Sequence, residues 1–148
     1  MAPLARARVL NAKRLERKLR RIPTVMEQRI DAARQKGGME LVALVKQFAP
    51  VKSGELVESV GWDIVPTTTD QTKRGAVRVF AGNDKKGWYA RLVEFGTRPH
   101  FQPKRGTQHP GATARPFFYP AYRLIRKRLA SRIKREATKG AKAAARGA

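Results

Sequence analysis

The sequence predicts an α+β fold with a long N-terminal helix, a small antiparallel sheet, a short helix, a long loop and a basic C-terminal helix. Three observations lead to this prediction. Apolar residues recur at helical spacing before residue 49, they recur again after residue 117, and two short segments between these helices alternate apolar and polar residues. The 148 residues, of which 41% are hydrophobic, suit one folded core.

Apolar stripes and breakers set the limits of the two long helices. Leu15, Leu19 and Ile22 lie on one helical face, Pro23 should kink or restart the helix, and Gly37-Gly38 should bend or break it before it ends near Pro50. The C-terminal stripe consists of Phe118, Tyr122, Ile125, Leu129 and Ile133. No large apolar residue follows Ile133, so we expect that end to project or fray unless a partner holds it.

The middle of the chain predicts two strands and a short helix. Alternation over Val60–Ile64 and again from Val77 predicts an antiparallel pair. Because an isolated pair is marginally stable, strands from a neighbouring copy or from residues 96–114 are expected to complete the sheet. The short helix spans Trp88–Phe95 and ends at Gly96. Trp62 and Trp88 lie on apolar faces and are expected to pack in the core rather than stack on bases.

The formal net charge of +22 is concentrated at the chain ends. Residues 1–22 hold eight Lys and Arg against one acid, and residues 123–148 hold ten against one. We therefore divide the chain into a basic N-terminal helical arm (1–22), a single α+β core domain (23–133) and a basic C-terminal extension (134–148). Such arms favour polyanions, although solvated basic helices would show the same pattern. The candidate polyanion contacts are Arg14, Arg17, Lys18, Arg21, Arg126, Lys127, Arg132, Lys134 and Arg135.

Several classes of protein lack support in the sequence. The absence of cysteine excludes disulfides and thiolate metal sites. No apolar run approaches the roughly 20 residues of a membrane span, and no apolar signal core follows the basic N-terminus, so we expect neither a membrane segment nor a secretion signal.

No catalytic or cofactor site is expected either. His100 and His109 have no carboxylate or thiol near them in the loop to complete a zinc site. Glu94, beside Arg91 and Arg98, is interpreted as one half of an ion pair. Phosphate-binding, dinucleotide-binding and nucleophile-elbow motifs are absent. The sequence therefore predicts no enzyme, cofactor, metal or small-molecule substrate.

Three motifs resemble one known family. They are Ala49–Leu56 (APVKSGEL) with Ser59, Tyr89–Thr97 (YARLVEFGT) and Ala114–Phe117 (ARPF) with Pro120-Ala121. In this order, between two helices, they resemble the small head–tail joining and tail-completion family of long-tailed, lambda-like bacteriophages. The likeness spans about residues 25–130 and does not extend to the basic ends.

The resemblance implies a non-enzymatic structural virion protein. Such proteins form a ring, commonly of six copies, at the neck or at the top of the tail, where the ring joins connector and tail-tube proteins and DNA passes through its lumen. Arg115 is expected to tie the base of the 97–113 loop to Glu94. The residues implied at partner contacts, in the loop and at its base, are Tyr89, Glu94, Phe95, Gly96, Arg98, Lys104, Arg105, Arg115 and Phe117.

Two questions stay open at this point. The basic arms and the loop cations could contact DNA, non-specifically, or acidic protein surfaces. The particle could be an infectious phage, a prophage or a gene-transfer particle, with assembly expected in the host cytoplasm. The alternative function is a free basic nucleic-acid-binding protein, which the charge alone supports, and a nuclease is disfavoured because the few acids are scattered.

Overall fold

The computed structural model of the chain describes residues 12–65, 76–83 and 86–146, apart from the side chains of residues 12–15, 18, 19 and 21. In chain order the elements are α1 (Ala12–Phe48), α2 (Glu55–Glu58), β1 (Gly61–Ile64), β2 (Val77–Phe80), α3 (Ala90–Phe95), β3 (His100–Gln102), β4 (Thr107–His109) and α4 (Phe118–Arg146). The predicted α+β fold and its order of elements are confirmed.

The helix α1 runs through both predicted breakers without interruption. Pro23 is exposed within it, and Gly37 and Gly38 are buried where other elements approach closely. A Cβ atom on Gly38 would lie 2.7 Å from Val77 Cγ1, and one on Gly37 would lie 3.0 Å from Leu129 Cδ2. The expected break at the glycines is therefore wrong, because these residues admit β2 and α4 against α1, and that packing outweighs their low helix propensity.

The helix α4 packs along α1 and stays helical to Arg146. Gly140 and Ala144 are buried, and a Cβ atom on Gly140 would lie 2.8 Å from Met26 Cα. The expectation that the helix projects beyond Ile133 is wrong, because small residues bring the two backbones together where large apolar side chains are missing. The division into arms and a core stays a prediction, although each long helix crosses one of its boundaries.

The core lies where α1 and α4 pack against α2, α3 and the segments beside them. Phe117 and Val45 are its largest fully buried side chains. The other buried members of the cluster are Leu41, Ala49, Leu56, Val60, Ala90, Ala121 and Ile125. Burial of these apolar side chains at one centre holds α2, α3 and the segment before α4 in a fixed arrangement.

The strands form two separate antiparallel pairs. In the predicted pair, Trp62 lies opposite Val79 and Asp63 opposite Arg78, and the last two residues form an ion pair. The hairpin β3–β4 shows that the 96–114 segment does contain strands, as expected. It pairs only with itself, however, so it does not complete the β1–β2 sheet. Within the described residues, that sheet keeps two strands and two outer edges.

Ion pairs clamp α4 to α1. The Glu40 carboxylate accepts hydrogen bonds from Arg132 Nη2 at 2.7 and 2.9 Å and from Arg128 Nη2 at 3.1 Å. Farther along the helices, Arg29 contacts Glu136, which also pairs with Lys139. The hydrogen bond from Arg132 is the main reason that the pKa of Glu40 lies below its usual value.

The close approach at Gly140 leads to a first prediction. Gly140→Ala should lower the free energy of unfolding by about 1–3 kcal/mol, since the new methyl group meets the α1 backbone, although alanine favours the helix. The measurement is urea unfolding followed by far-UV circular dichroism. The matched control is Ser131→Ala on the exposed face of α4, which should be neutral or slightly stabilising. Equal stability of the two variants would contradict the close packing.

The Glu40 ion pairs lead to a second prediction. A lowered pKa in the folded state means that this stabilisation is present above the unfolded value of 4.5 and is lost as pH falls through the folded value. The free energy of unfolding should therefore fall more steeply below about pH 5 in the wild type than in Glu40→Gln. Parallel pH profiles of the two proteins would show that Glu40 contributes nothing to the pH dependence of the free energy of unfolding. The other titrating carboxylates are common to both proteins and cancel in the comparison.

Candidate functional site

The three sequence motifs meet around one groove. Its lining comes from the segment before α2 and from α2 itself, from the residue before α3 and the middle of α3, and from the segment before α4. The groove has a volume of about 390 Å³ and is lined by Pro50, Lys52, Ser53, Gly54, Leu56, Tyr89, Val93 and Arg115. Segments that are far apart in sequence thus form one surface, which combines apolar side chains with two cations, Lys52 and Arg115.

Glu94 holds the N-terminus of α4. Its side chain is buried, and Oε2 accepts hydrogen bonds from the backbone N–H groups of Phe117 and Phe118 at 2.8 and 2.9 Å. Oε1 accepts a third, from Tyr119, at 3.1 Å. The next residue, Pro120, has no N–H. One carboxylate therefore accepts from all the backbone N–H groups at the start of this helix that have no acceptor within the helix. The negative charge also lies at the positive end of the helix dipole.

The interpretation of Glu94 as half of an ion pair is therefore wrong. No ion pair links it to Arg91, Arg98 or Arg115 in the described part of the chain. The expected side-chain tie from Arg115 to Glu94 is absent for the same reason. The Arg115 backbone N–H donates instead to Val93 O at 2.8 Å, and its exposed side chain lines the groove.

Backbone contacts close the base of the long loop. Thr97 and Ala112 form an isolated antiparallel bridge with N–H···O distances of 2.9 and 3.1 Å. Gly96 has φ of 71°, and a Cβ atom there would lie 2.6 Å from Ala112 O. Glycine is thus required by both its backbone conformation and its surroundings. The loop leaves and re-enters the core at one place, and the hairpin β3–β4 extends from it.

Ser59, the last residue of the first motif, is a second buried polar anchor. Its hydroxyl donates to Leu56 O at 2.7 Å and accepts from the Gly82 backbone N–H at 3.0 Å. It therefore connects the end of α2 to the segment after β2. Because this hydroxyl both donates and accepts a hydrogen bond, its burial leaves neither the hydroxyl nor these two backbone groups without a partner.

The predicted contact residues fall into three groups by their exposure. Phe117 is 1% exposed and Glu94 is 5% exposed, so these residues support the site from within the core. Tyr89 lines the groove and Gly96 forms the loop base. The remaining predicted contacts are exposed: Phe95, Arg98, Lys104, Arg105 and Arg115.

An apolar surface that the sequence did not predict lies on the outer face of α3. Leu92 and Phe95 lie in α3 and Trp88 lies in the turn just before it, and the three are 42%, 61% and 70% exposed. The ring of Tyr119 lies 5.9 Å from that of Phe95. These four residues are termed the aromatic surface. The expectation that Trp88 packs in the core is wrong, because its apolar periodicity reflects this outer face. Trp62, in contrast, is half-buried, and its ring lies under Gly38.

The predicted polyanion contacts are only partly exposed. Arg126, Lys127, Lys134 and Arg135 are exposed on α4, whereas the Arg132 guanidinium pairs with Glu40 and its side chain is 17% exposed. Arg17 is exposed on α1. The side chains of Arg14, Lys18 and Arg21 lie outside the described residues.

The two histidines stack on each other across the hairpin, with ring centroids 5.1 Å apart. His109 Nδ1 accepts from the Gly111 N–H, and His100 Nδ1 lies 3.0 Å from Arg98 O and so must carry a proton to donate. Within the described residues, no group of three or more His, Cys, Asp or Glu side chains could hold a metal ion. Among the described helices, none is long and apolar enough to cross a membrane.

Comparison with known proteins returned one family. Residues 13–96 match the HK97-gp10-like family, which is described as "Bacteriophage HK97-gp10, putative tail-component". The match covers more than half of the chain and includes the first motif and the second up to Gly96, whereas Thr97, the third motif and α4 lie beyond it. Neither the search of curated proteins nor the search of solved structures returned a match.

The Glu94 geometry leads to a third prediction. Glu94→Ala should lower the free energy of unfolding by about 2–4 kcal/mol, because three buried or partly buried backbone donors would lose their charged acceptor. Glu94→Gln keeps one acceptor oxygen and should be destabilised less. Glu27→Ala, an exposed glutamate within α1, is the control and should stay within about 0.5 kcal/mol of the wild type. Urea unfolding measures all three. A Glu94→Ala protein as stable as the control would refute the capping role.

Proposed function

The chain belongs to the HK97-gp10-like family of bacteriophage tail components, and we propose that it is a structural virion protein that forms a ring at the head–tail joint or at the top of the tail. In this role it completes the tail and contacts the connector on one side and tail-tube proteins on the other. Six copies per ring, non-enzymatic action and assembly in the host cytoplasm belong to the same proposal.

The observation that carries the proposal is the aromatic surface. Trp88, Leu92, Phe95 and Tyr119 present neighbouring large apolar side chains to solvent on a small chain. Exposed large apolar side chains concentrated in one region mark interaction sites, and Trp and Tyr are enriched where interfaces are strongest. We assign this surface to contact with another copy of the chain.

The hairpin β3–β4 supports a contact of the head-to-tail kind. It extends from a closed base, and it presents exposed Phe101, Lys104 and Arg105 away from the core. The hairpin of one copy packing on the aromatic surface of the next would join two different patches. Contacts between unlike patches close into rings when the rotation per copy is right. The edges of the β1–β2 sheet, which no other described strand pairs with, offer the neighbouring copy further backbone hydrogen bonds.

The alternative, a free basic nucleic-acid-binding protein, rests on the charge and on the exposed cations of α4. It leaves the aromatic surface and the extended hairpin without a role. We therefore place it second to the ring.

Light scattering of the purified protein tests the ring and supplies a fourth prediction. Six chains of 16.6 kDa correspond to about 100 kDa, and this mass should persist at high salt because the assigned contact is largely apolar. The double variant Phe95→Ser/Tyr119→Ser should shift the mass to that of the single chain. Both side chains are about half exposed or more, so the decrease in folding stability should be small.

The matched control is Met39→Ser, which removes a side chain that is 52% exposed on α1. It should leave the mass unchanged. If the wild type assembles only when connector or tail-tube proteins are added, the same variants are compared in that mixture. A salt-sensitive monomer whose mass changes only with DNA would refute the ring and favour the alternative.

A further inference from the structure

The helix α4 carries an excess of cations that the fold itself does not neutralise. It contains ten Lys and Arg residues and one acid, Glu136. Arg128 and Arg132 pair with Glu40, and Lys139 pairs with Glu136. The side chains of the other seven are exposed and make no ion pair or hydrogen bond within the described residues: Arg123, Arg126, Lys127, Lys134, Arg135, Lys142 and Arg146.

These seven cations follow the length of the helix. Six of them form two stripes: Arg123, Lys127 and Lys134 recur at spacings of 4 and 7 residues, and Arg135, Lys142 and Arg146 at spacings of 7 and 4. The seventh, Arg126, precedes Lys127 in the sequence. The two stripes lie away from the buried residues Ala121, Ile125 and Gly140. With a rise of 1.5 Å per residue, the charged face is about 35 Å long. An array of this length with charges of one sign matches a linear polyanion.

The chemistry of this face favours phosphates over a protein surface. Exposed large apolar side chains on α4 are confined to its first two turns, and the last of them is Leu124. Protein interfaces contain an apolar core that is poor in charge, and this face has none beyond Leu124. The same stretch has no exposed aromatic ring on which an unpaired base could stack. Duplex nucleic acid, with about one charge per 1.7 Å of axis, is the polyanion that requires neither feature.

We propose that the solvent face of α4, from Arg123 to Arg146, binds the phosphate backbone of duplex nucleic acid without sequence preference. Arg132 is excluded from this face because Glu40 holds it against α1. The inference depends on the composition and exposure of one helix, so it stands or falls independently of the proposed ring.

The test compares two variants that each remove four positive charges. The first is Arg126→Gln/Lys127→Gln/Lys134→Gln/Arg135→Gln on α4. The control is Lys36→Gln/Lys46→Gln/Lys86→Gln/Arg91→Gln, on α1, on α3 and in the segment between β2 and α3, where all four side chains are exposed as well. Fluorescence anisotropy with a 30-base-pair DNA duplex of arbitrary sequence measures affinity over a series of salt concentrations. Circular dichroism and light scattering without DNA establish that each variant retains its fold and its mass.

The expected result is a decrease in affinity of about tenfold or more for the α4 variant and less than about threefold for the control. The slope of log affinity against log salt should also become shallower by about 0.9 for each phosphate that the variant no longer neutralises. A second duplex of different sequence should bind equally well. The milder pair Lys127→Gln/Lys134→Gln replaces the four-residue variant if that protein does not fold, and it should give a smaller shift in the same direction.

Three results would overturn the proposal. Equal decreases in affinity for the α4 variant and the control would mean that only net charge matters. Tighter binding of single strands than of duplex would point to base stacking elsewhere on the protein. Tighter binding of charge-matched polyglutamate than of the duplex would assign the face to an acidic protein surface.

Discussion

A single buried carboxylate determines how the parts of this protein meet. Glu94 lies in α3, and it accepts three backbone hydrogen bonds from the first residues of α4 and the residue before them. The segment before α4, Ala114–Phe117, offers no side-chain oxygen that could cap the helix locally. The helix thus starts where α3 places an acceptor, and the long loop between these two elements has both of its ends fixed.

That constraint explains the shape of the candidate site. With the start of α4 held against α3, Arg115 must pass beside Val93, where its backbone N–H bonds to the carbonyl group. Gly96 and the Thr97–Ala112 bridge then close the loop base, and the hairpin extends beyond it. The same arrangement brings Tyr119 beside Phe95 and completes the aromatic surface. The groove, the hairpin and the aromatic surface therefore share one structural origin.

The chain carries two surfaces of different chemistry. The aromatic surface around α3 suits a protein neighbour, since burying apolar side chains against a partner removes them from water and is favourable. The outer face of α4 beyond Leu124 offers exposed cations and no large apolar side chain, which suits a polyanion. Because the two surfaces use different forces, salt should weaken binding at the second much more than at the first. A structural tail component that contacts both protein neighbours and nucleic acid would need both kinds of surface.

The sequence by itself determined the order of the elements, the antiparallel β1–β2 pair, the family and the absence of an evident catalytic motif. Each of these depends on local periodicity or on short motifs, which a single chain displays directly. Only the tertiary structure decided the role of Glu94, the exposure of Trp88, the continuity of α1 through Gly37-Gly38 and the packing of α4 around Gly140. For Glu94, Gly37-Gly38 and Gly140 the deciding contact joins residues far apart in sequence. For Trp88 the apolar side chain faces solvent instead of the core. Glu94 did leave a signal, since an uncapped helix start and one isolated acid lie within 25 residues of each other. Spacing could not show that the two meet, because that depends on how α3 and α4 pack.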